Sequence, residues 1–245
     1  MENMVQVKRI MACAILLLIV VMPLQGFAEK ERQGEESREQ VENTNDDMLW
    51  SHAFEFLKAV LKGSMSKARV ILEENPQIPF ARDRNGFTLL HYMARENKPE
   101  AATMLIERNA PVKAETTLGF TPLEFAAQTG SIGVARLLIA KGAPVNDGRA
   151  GSSPSLSYAV QSNQKDMVLY LIAQGANVAK GINQSGYTAL HYAARNGNLE
   201  IVKILVEKGA NVNARVSDGP TPLRCAASKG KKEVMQYLKE RGAEE

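Results

Sequence analysis

The chain has 245 residues, 44% of them hydrophobic and 23% charged, with few aromatics and a formal net charge of +3. Those values suit one or two globular or repeat domains, and so small a charge gives no ground for a nucleic-acid partner or a membrane surface. The two cysteines are Cys13 and Cys225. With Cys13 in a segment expected to be removed, a lone thiol makes neither an internal disulfide nor a cysteine-based metal site.

Residues 1–28 read as a secretory signal. Lys8 and Arg9 give the positive start, "IMACAILLLIVVM" (10–22) the apolar run, and Gly26 and Ala28 the small residues of a cleavage site. Thirteen apolar residues rise about 20 Å as a helix, short of the roughly 30 Å hydrocarbon core. A cleaved export signal is therefore expected, with an uncleaved signal anchor as the alternative. "IMAC" precedes most of the apolar run instead of following it, which argues against a lipoprotein start.

Residues 29–47 hold eight acidic and three basic side chains and a single sizeable apolar one, Val41. Such a stretch buries too little to offset its ordering entropy, so a flexible acidic linker is expected. Beyond it, Leu49, Trp50, Phe54, Phe56 and Leu57 suggest an N-terminal helix packed on the rest of the domain.

From residue 48 to 245 the chain repeats itself. A marker position falls at Thr88, Thr121, Pro154, Thr188 and Thr221, at spacings of 33, 33, 34 and 33 residues. Five phrases align there: "TLLHYMA", "TPLEFAA", "PSLSYAV", "TALHYAA" and "TPLRCAA". A second set keeps step downstream, from "MLIERNA" and "LLIAKGA" to "YLKERGA", and a degenerate earlier unit starts near Phe54. Six units, starting near residues 54, 88, 121, 154, 188 and 221, form a quasi-one-dimensional array in which no unit can bury its apolar face alone.

The pattern G-x-T-x-L-H-x-A-A, a Gly or Asn turn, an apolar pair, then "GA" and Asn (Asn146, Asn213) resembles the ankyrin repeat over about residues 50–245. The resemblance implies an all-α solenoid of stacked helix pairs with β-hairpin fingers. The residues agree physically. The pairs Ala126/Ala127, Ala193/Ala194 and Ala226/Ala227 let helices approach closely. "EIVKILVEKGA" carries a broad apolar stripe, and Gly142, Gly175, Gly209 and Gly242 suit helix ends. In the resembled family the Thr and His of "TxLH" brace the first helix, which makes His91 and His191 scaffold residues. Glu124, Ser157 and Arg224 hold the same position in the other units.

Little chemistry remains. His52 is the only other histidine, and the sequence lacks G-x-S-x-G, H-E-x-x-H and a phosphate loop. "GSSPSLS" (151–157) reads as a loop, and Cys225 as a packed thiol in a column otherwise held by Tyr92, Phe125, Tyr158 and Tyr192. No catalytic residue, cofactor or metal is expected. A hydrolase built around His52 is the least supported alternative.

Protein binding has more support. By the resemblance, partners dock on the finger tips and the exposed side of the first helices. That places Arg82, Arg84, Asn85, Phe87, Arg95 and Glu96 in one unit, and Glu115, Thr117, Leu118, Phe120, Gln128 and Thr129 in the next. Gln184, Ser185, Tyr187, Arg195 and Asn196 come further along. Phe87, Phe120 and Tyr187 share one column, where two readings stay open: partner contacts or packing on a neighbour. The unit at 148–163 departs furthest from the pattern and is a candidate weak link. Taken together, the sequence predicts an exported monomer, periplasmic or secreted, that binds another protein without catalysis. It binds no nucleic acid and has no membrane span in the mature chain. An effector acting on foreign-cell proteins is the alternative, and "NQS" (183–185) is a glycosylation acceptor in a eukaryotic source.

Overall fold

A computed structural model describes residues 39–146, 155–179, 186–215 and 219–244, with backbone alone for 39–47. The expected signal, the linker up to residue 38, the loop at 147–154 and the finger residues Gln184 and Ser185 lie outside the described residues.

Twelve helices succeed one another among the described residues. They are α1 (Glu39–Leu61), α2 (Met65–Glu74), α3 (Leu89–Arg95), α4 (Pro99–Glu107), α5 (Pro122–Thr129) and α6 (Ile132–Ala140), continued by α7 (Ser155–Gln161), α8 (Lys165–Ala173), α9 (Ala189–Asn196), α10 (Leu199–Glu207), α11 (Pro222–Ser228) and α12 (Lys232–Glu240). A single 3₁₀ turn, Ile78–Phe80, lies between α2 and α3. The first of these helices corrects an expectation, since α1 starts at Glu39, inside the stretch read as a linker. Glu and Gln are good helix formers, and adding residues to a helix already nucleated by a packed segment costs little. The packed segment is at hand: Ala53, Phe56, Leu57, Ala59 and Val60 are buried.

The short helices after α2 begin where the repeated threonine predicts. Thr88, Thr121, Thr188 and Thr221 are N-cap residues in extended backbone. Pro122 and Pro222 take the first helical position, where a missing N–H costs nothing. Each short helix turns back into its partner through left-handed backbone. Glycine holds that turn in α5–α6 (Gly130) and asparagine in α3–α4 (Asn97, φ +50°), the two residue types that tolerate it.

Packing runs in two layers. The first helices α3, α5, α7, α9 and α11 pack side by side in that order, and the second helices α4, α6, α8, α10 and α12 do the same behind them. Alanine sets the closeness of the first layer: Ala94, Ala126, Ala127, Ala159, Ala193 and Ala194 are wholly buried. Ala227, with no further first helix beside α11 among the described residues, is exposed. Large core side chains come from both layers, Leu89, Leu90, Met93, Leu123 and Leu156 from the first and Leu105, Leu138, Leu171, Leu205 and Leu238 from the second.

The fingers are slighter than hairpins. Among the described residues one isolated antiparallel bridge, Arg82 with Thr88, is all the pairing they hold. Tight turns close them instead, through Asp83 N–H to Phe87 O and Thr116 N–H to Phe120 O, both 2.9 Å. Adjacent fingers are joined by Thr117 N–H to Asn85 O at 2.9 Å.

Candidate functional site

The repeated histidines serve the scaffold in two directions at once. Thr88 N–H donates to His91 Nδ1 at 3.0 Å, completing a capping box. Since Nδ1 accepts that bond, the neutral ring carries its proton on Nε2, which donates to Phe120 O, 3.0 Å away in the next finger. His191 repeats the arrangement, with Thr188 N–H at 3.0 Å on Nδ1 and Pro220 O at 3.1 Å from Nε2. Burial holds the His91 ring down to a pKa of about 4, and lowers that of His191 too. Both rings are buried and fully engaged, so neither is placed to meet a substrate.

Glu124 fills the same slot in the α5–α6 unit. Its carboxylate accepts Thr121 N–H at 2.9 Å, a local cap, and a carboxylate has no proton with which to reach the next carbonyl. Other side chains span the remaining seams and double the last one. Asn146 donates to Gly175 O and accepts from Asn177 N–H, both at 2.9 Å. Asn213 does the same to Gly242 O (3.0 Å) and Glu244 N–H (2.9 Å). Asn196 reaches back to Val160 O at 3.2 Å and Gln161 O at 3.0 Å.

The layer of first helices and fingers carries the exposed candidates. Arg82 is exposed and tied to backbone, donating to Gly86 O at 3.2 Å and Glu115 O at 2.7 Å. Arg84 is exposed at the same finger's tip, next to the exposed Asn85. Leu118, at the tip of the following finger, is 64% exposed. Phe87 and Tyr187 are half-buried. Phe87 lies 5.2 Å from the Phe125 ring, and Tyr187 lies edge-on to His191 at 5.4 Å. Phe120 is buried, closed over by Phe125 at 6.0 Å and Tyr158 at 5.8 Å. Its side chain therefore packs and offers no open contact, whereas its two column mates keep part of their rings in solvent.

Two arginines that the resemblance places among the partner-docking positions prove to be organised. Arg95 lies over the Tyr92 ring with its guanidinium carbon 4.9 Å from the centroid, and Arg195 over Tyr192 at 5.4 Å. Tyr92 is fixed in turn by its hydroxyl donating to Asp83 at 2.7 Å. Burial, with the Asp83 charge beside it, raises the Tyr92 pKa far above the ordinary phenol range. The Tyr-x-x-Arg spacing puts ring and cation on one helix face, a signal present in the sequence and overlooked there. In the same column the intervening units hold Gln128 and Gln161, both half-buried. The row across four first helices is thus Arg95, Gln128, Gln161, Arg195. Trp50, half-buried on α1, extends the aromatic surface to Tyr92 at 5.7 Å.

Nothing in the described residues assembles a catalytic constellation. His52 is exposed on α1, far in sequence from the other two histidines. Cys225 is buried, and burial raises its thiol pKa, which disfavours the nucleophilic thiolate. No group of three or more His, Cys, Asp or Glu converges among the described residues. None of the described helices is long and apolar enough to cross a membrane.

No curated protein matches the chain. The family model for ankyrin repeats in three copies matches residues 56–149 and again 156–245. The match covers the stacked helix pairs and their fingers, and the chain belongs to the ankyrin-repeat family.

Proposed function

We propose that the protein is a non-catalytic module of six repeat units, the first degenerate, that holds or regulates another protein at the cell envelope or outside the cell. The row of stacked and half-exposed side chains on the first helices and fingers carries this reading. Arginines and aromatics held in place by neighbours lose little freedom on binding, and such residues dominate interface energetics. The family supports the protein-binding part, because ankyrin repeats serve typically as binding modules. The positive start, apolar run and small residues of 1–28 support export, followed by a monomer free of its signal.

Affinity capture from an envelope extract tests the module. The second bait is the full chain with Arg84→Ser and Leu118→Ser, two exposed finger-tip positions. A protein retained by the native bait and lost with the variant supports binding through this face, and equal retention moves the face elsewhere. If neither bait retains a protein, the binding reading fails. Export is tested by N-terminal sequencing of the chain from fractionated cells. A start at Glu29 outside the cytoplasm agrees with it, and an intact Met1 in the cytoplasm rejects it.

A further inference from the structure

The first and the second helices of the stack differ in the sign of their charge. Across α3, α5, α7, α9 and α11 three basic side chains (Arg95, Arg195, Arg224) outnumber one acidic (Glu124), and the described fingers with Glu96 bring this layer to six basic and four acidic. In the second helices α4, α6, α8, α10 and α12 seven acidic side chains outnumber five basic ones. The four carboxylates of the first layer are engaged. Asp83 accepts from Asn85 N–H, Phe87 N–H and the Tyr92 hydroxyl, Glu96 pairs with Arg95, and Glu124 is buried on Thr121 N–H. Glu115 has its own partner.

Within this positive layer the Arg95–Gln128–Gln161–Arg195 row has a definite shape. Each end is a guanidinium laid on a tyrosine ring. Arg95 bonds Glu96 through its Nε, at 2.9 Å, its terminal nitrogens make no hydrogen bond among the described residues, and its side chain keeps 21% of its surface in solvent. Among the described residues, the guanidinium of Arg195 and the side-chain amides of Gln128 and Gln161 make no hydrogen bond. Packed helices lie 8–10 Å apart, which puts the two arginines roughly 27 Å apart across three steps. An extended chain rises about 3.3 Å per residue, so about eight residues cover that distance.

We infer that this row takes an extended acidic segment of a partner protein. One carboxylate of the segment pairs with Arg95 and another, about eight residues on, with Arg195. The amides of Gln128 and Gln161 meet the peptide backbone between them. Guanidinium forks match carboxylates in geometry as well as charge, and side-chain amides can donate to and accept from a backbone without choosing its sequence. The charge pattern sets the ends of the segment and the row sets its length. The inference rests on the protein-binding reading above and fixes the chemistry of the bound segment.

The test uses the full chain and fluorescein-labelled peptides, read by anisotropy. One peptide carries two Glu-Glu pairs separated by about eight Ser, Gly and Thr residues. Others shorten the separation to about two or replace Glu by Lys. An oligothymidine of similar length is the control for a nucleic acid. The long-spaced acidic peptide is expected to bind tightest, to weaken as salt rises, and to lose roughly tenfold in affinity on either Arg95→Gln or Arg195→Gln. A double variant, Arg95→Glu with Arg195→Glu, should transfer the preference to the long-spaced Lys peptide, a gain that a misfolded protein could not produce. Equal binding of both spacings, indifference to the arginines, or no binding of any acidic peptide overturns the inference. So does oligothymidine binding as tightly through the same two residues. Should the captured partner be lost with the finger-tip variant but retained by Arg95→Gln with Arg195→Gln, the protein-binding reading survives and this inference alone falls.

Discussion

His91 Nε2 stands 3.0 Å from the carbonyl oxygen of Phe120, 29 residues later, while its Nδ1 holds Thr88 N–H within its own unit. One buried ring thereby closes the cap of α3 and fastens the following finger. Phe120 O also accepts Thr116 N–H, so losing the imidazole would not strand that carbonyl. It would strand Thr88 N–H and open a void.

His91→Ala is therefore expected to cost about 2–4 kcal/mol, from an unpaired buried donor and unfilled volume. His191→Ala acts at the last seam and should loosen mainly the C-terminal unit beyond it. Hydrogen exchange would show faster amides in 219–244 for His191→Ala and a broader loss for His91→Ala. A cost under about 0.5 kcal/mol, the size of an ordinary surface change, would contradict the role assigned to His91.

The same ring sets an acid response. Unfolded, an imidazole takes up its proton near pH 6.5, whereas folded His91 stays neutral down to about pH 4. Below pH 6.5 the unfolded chain binds more protons, so stability falls through the window from 6.5 to about 4 and is flat with respect to this group beneath it. The contribution is at most about 3 kcal/mol. Urea midpoints at several pH values, compared with those of His91→Asn, isolate it from the carboxylates that titrate nearby. Parallel profiles for the two proteins would refute it.

Two finger glycines offer a matched pair. Gly86 (φ +75°) and Gly119 (φ +81°) are both left-handed, but a Cβ on Gly86 would meet Thr117 N at 2.9 Å while one on Gly119 meets open space. Gly119→Ala should cost about 1–2 kcal/mol for conformation alone. Gly86→Ala should cost more, since the atom it meets is backbone of the next finger. Melting temperatures of the two variants decide, and equal shifts would show that the fingers yield freely.

The α7–α8 unit has Pro154 where its neighbours have a capping threonine, and Ser157 in the histidine slot. A serine hydroxyl reaches less far than an imidazole. Amides of 155–173 are expected to exchange faster than those of 122–140, a difference that uniform protection along the stack would abolish.

The sequence made the frame legible because the frame is periodic: the threonine caps, the alanine contacts and the left-handed turns each recur every 33 or 34 residues. The links that cross between units were not legible. A column of Thr and His shows that a cap exists, but not that the ring's other nitrogen faces the next finger. The aromatic column was ambiguous for the same reason. Phe120 is sealed by Phe125 and Tyr158, whereas Tyr187 has the smaller Cys225 in the corresponding place. The start of α1 at Glu39 was hidden by composition, since a charged stretch reads alike whether it stands free or prolongs a packed helix.

The asymmetry of the seams has a mechanical side. Imidazole rivets join α3–α4 to the finger ahead of it and α9–α10 to the finger ahead of it, near the two ends of the row. The span between them is fixed by shorter polar links. A ligand gripping Arg95 and Arg195 together would use that span as its ruler. Substitutions at Ser157 or its neighbours, touching no partner, would then change affinity by resetting the gauge length between the grips.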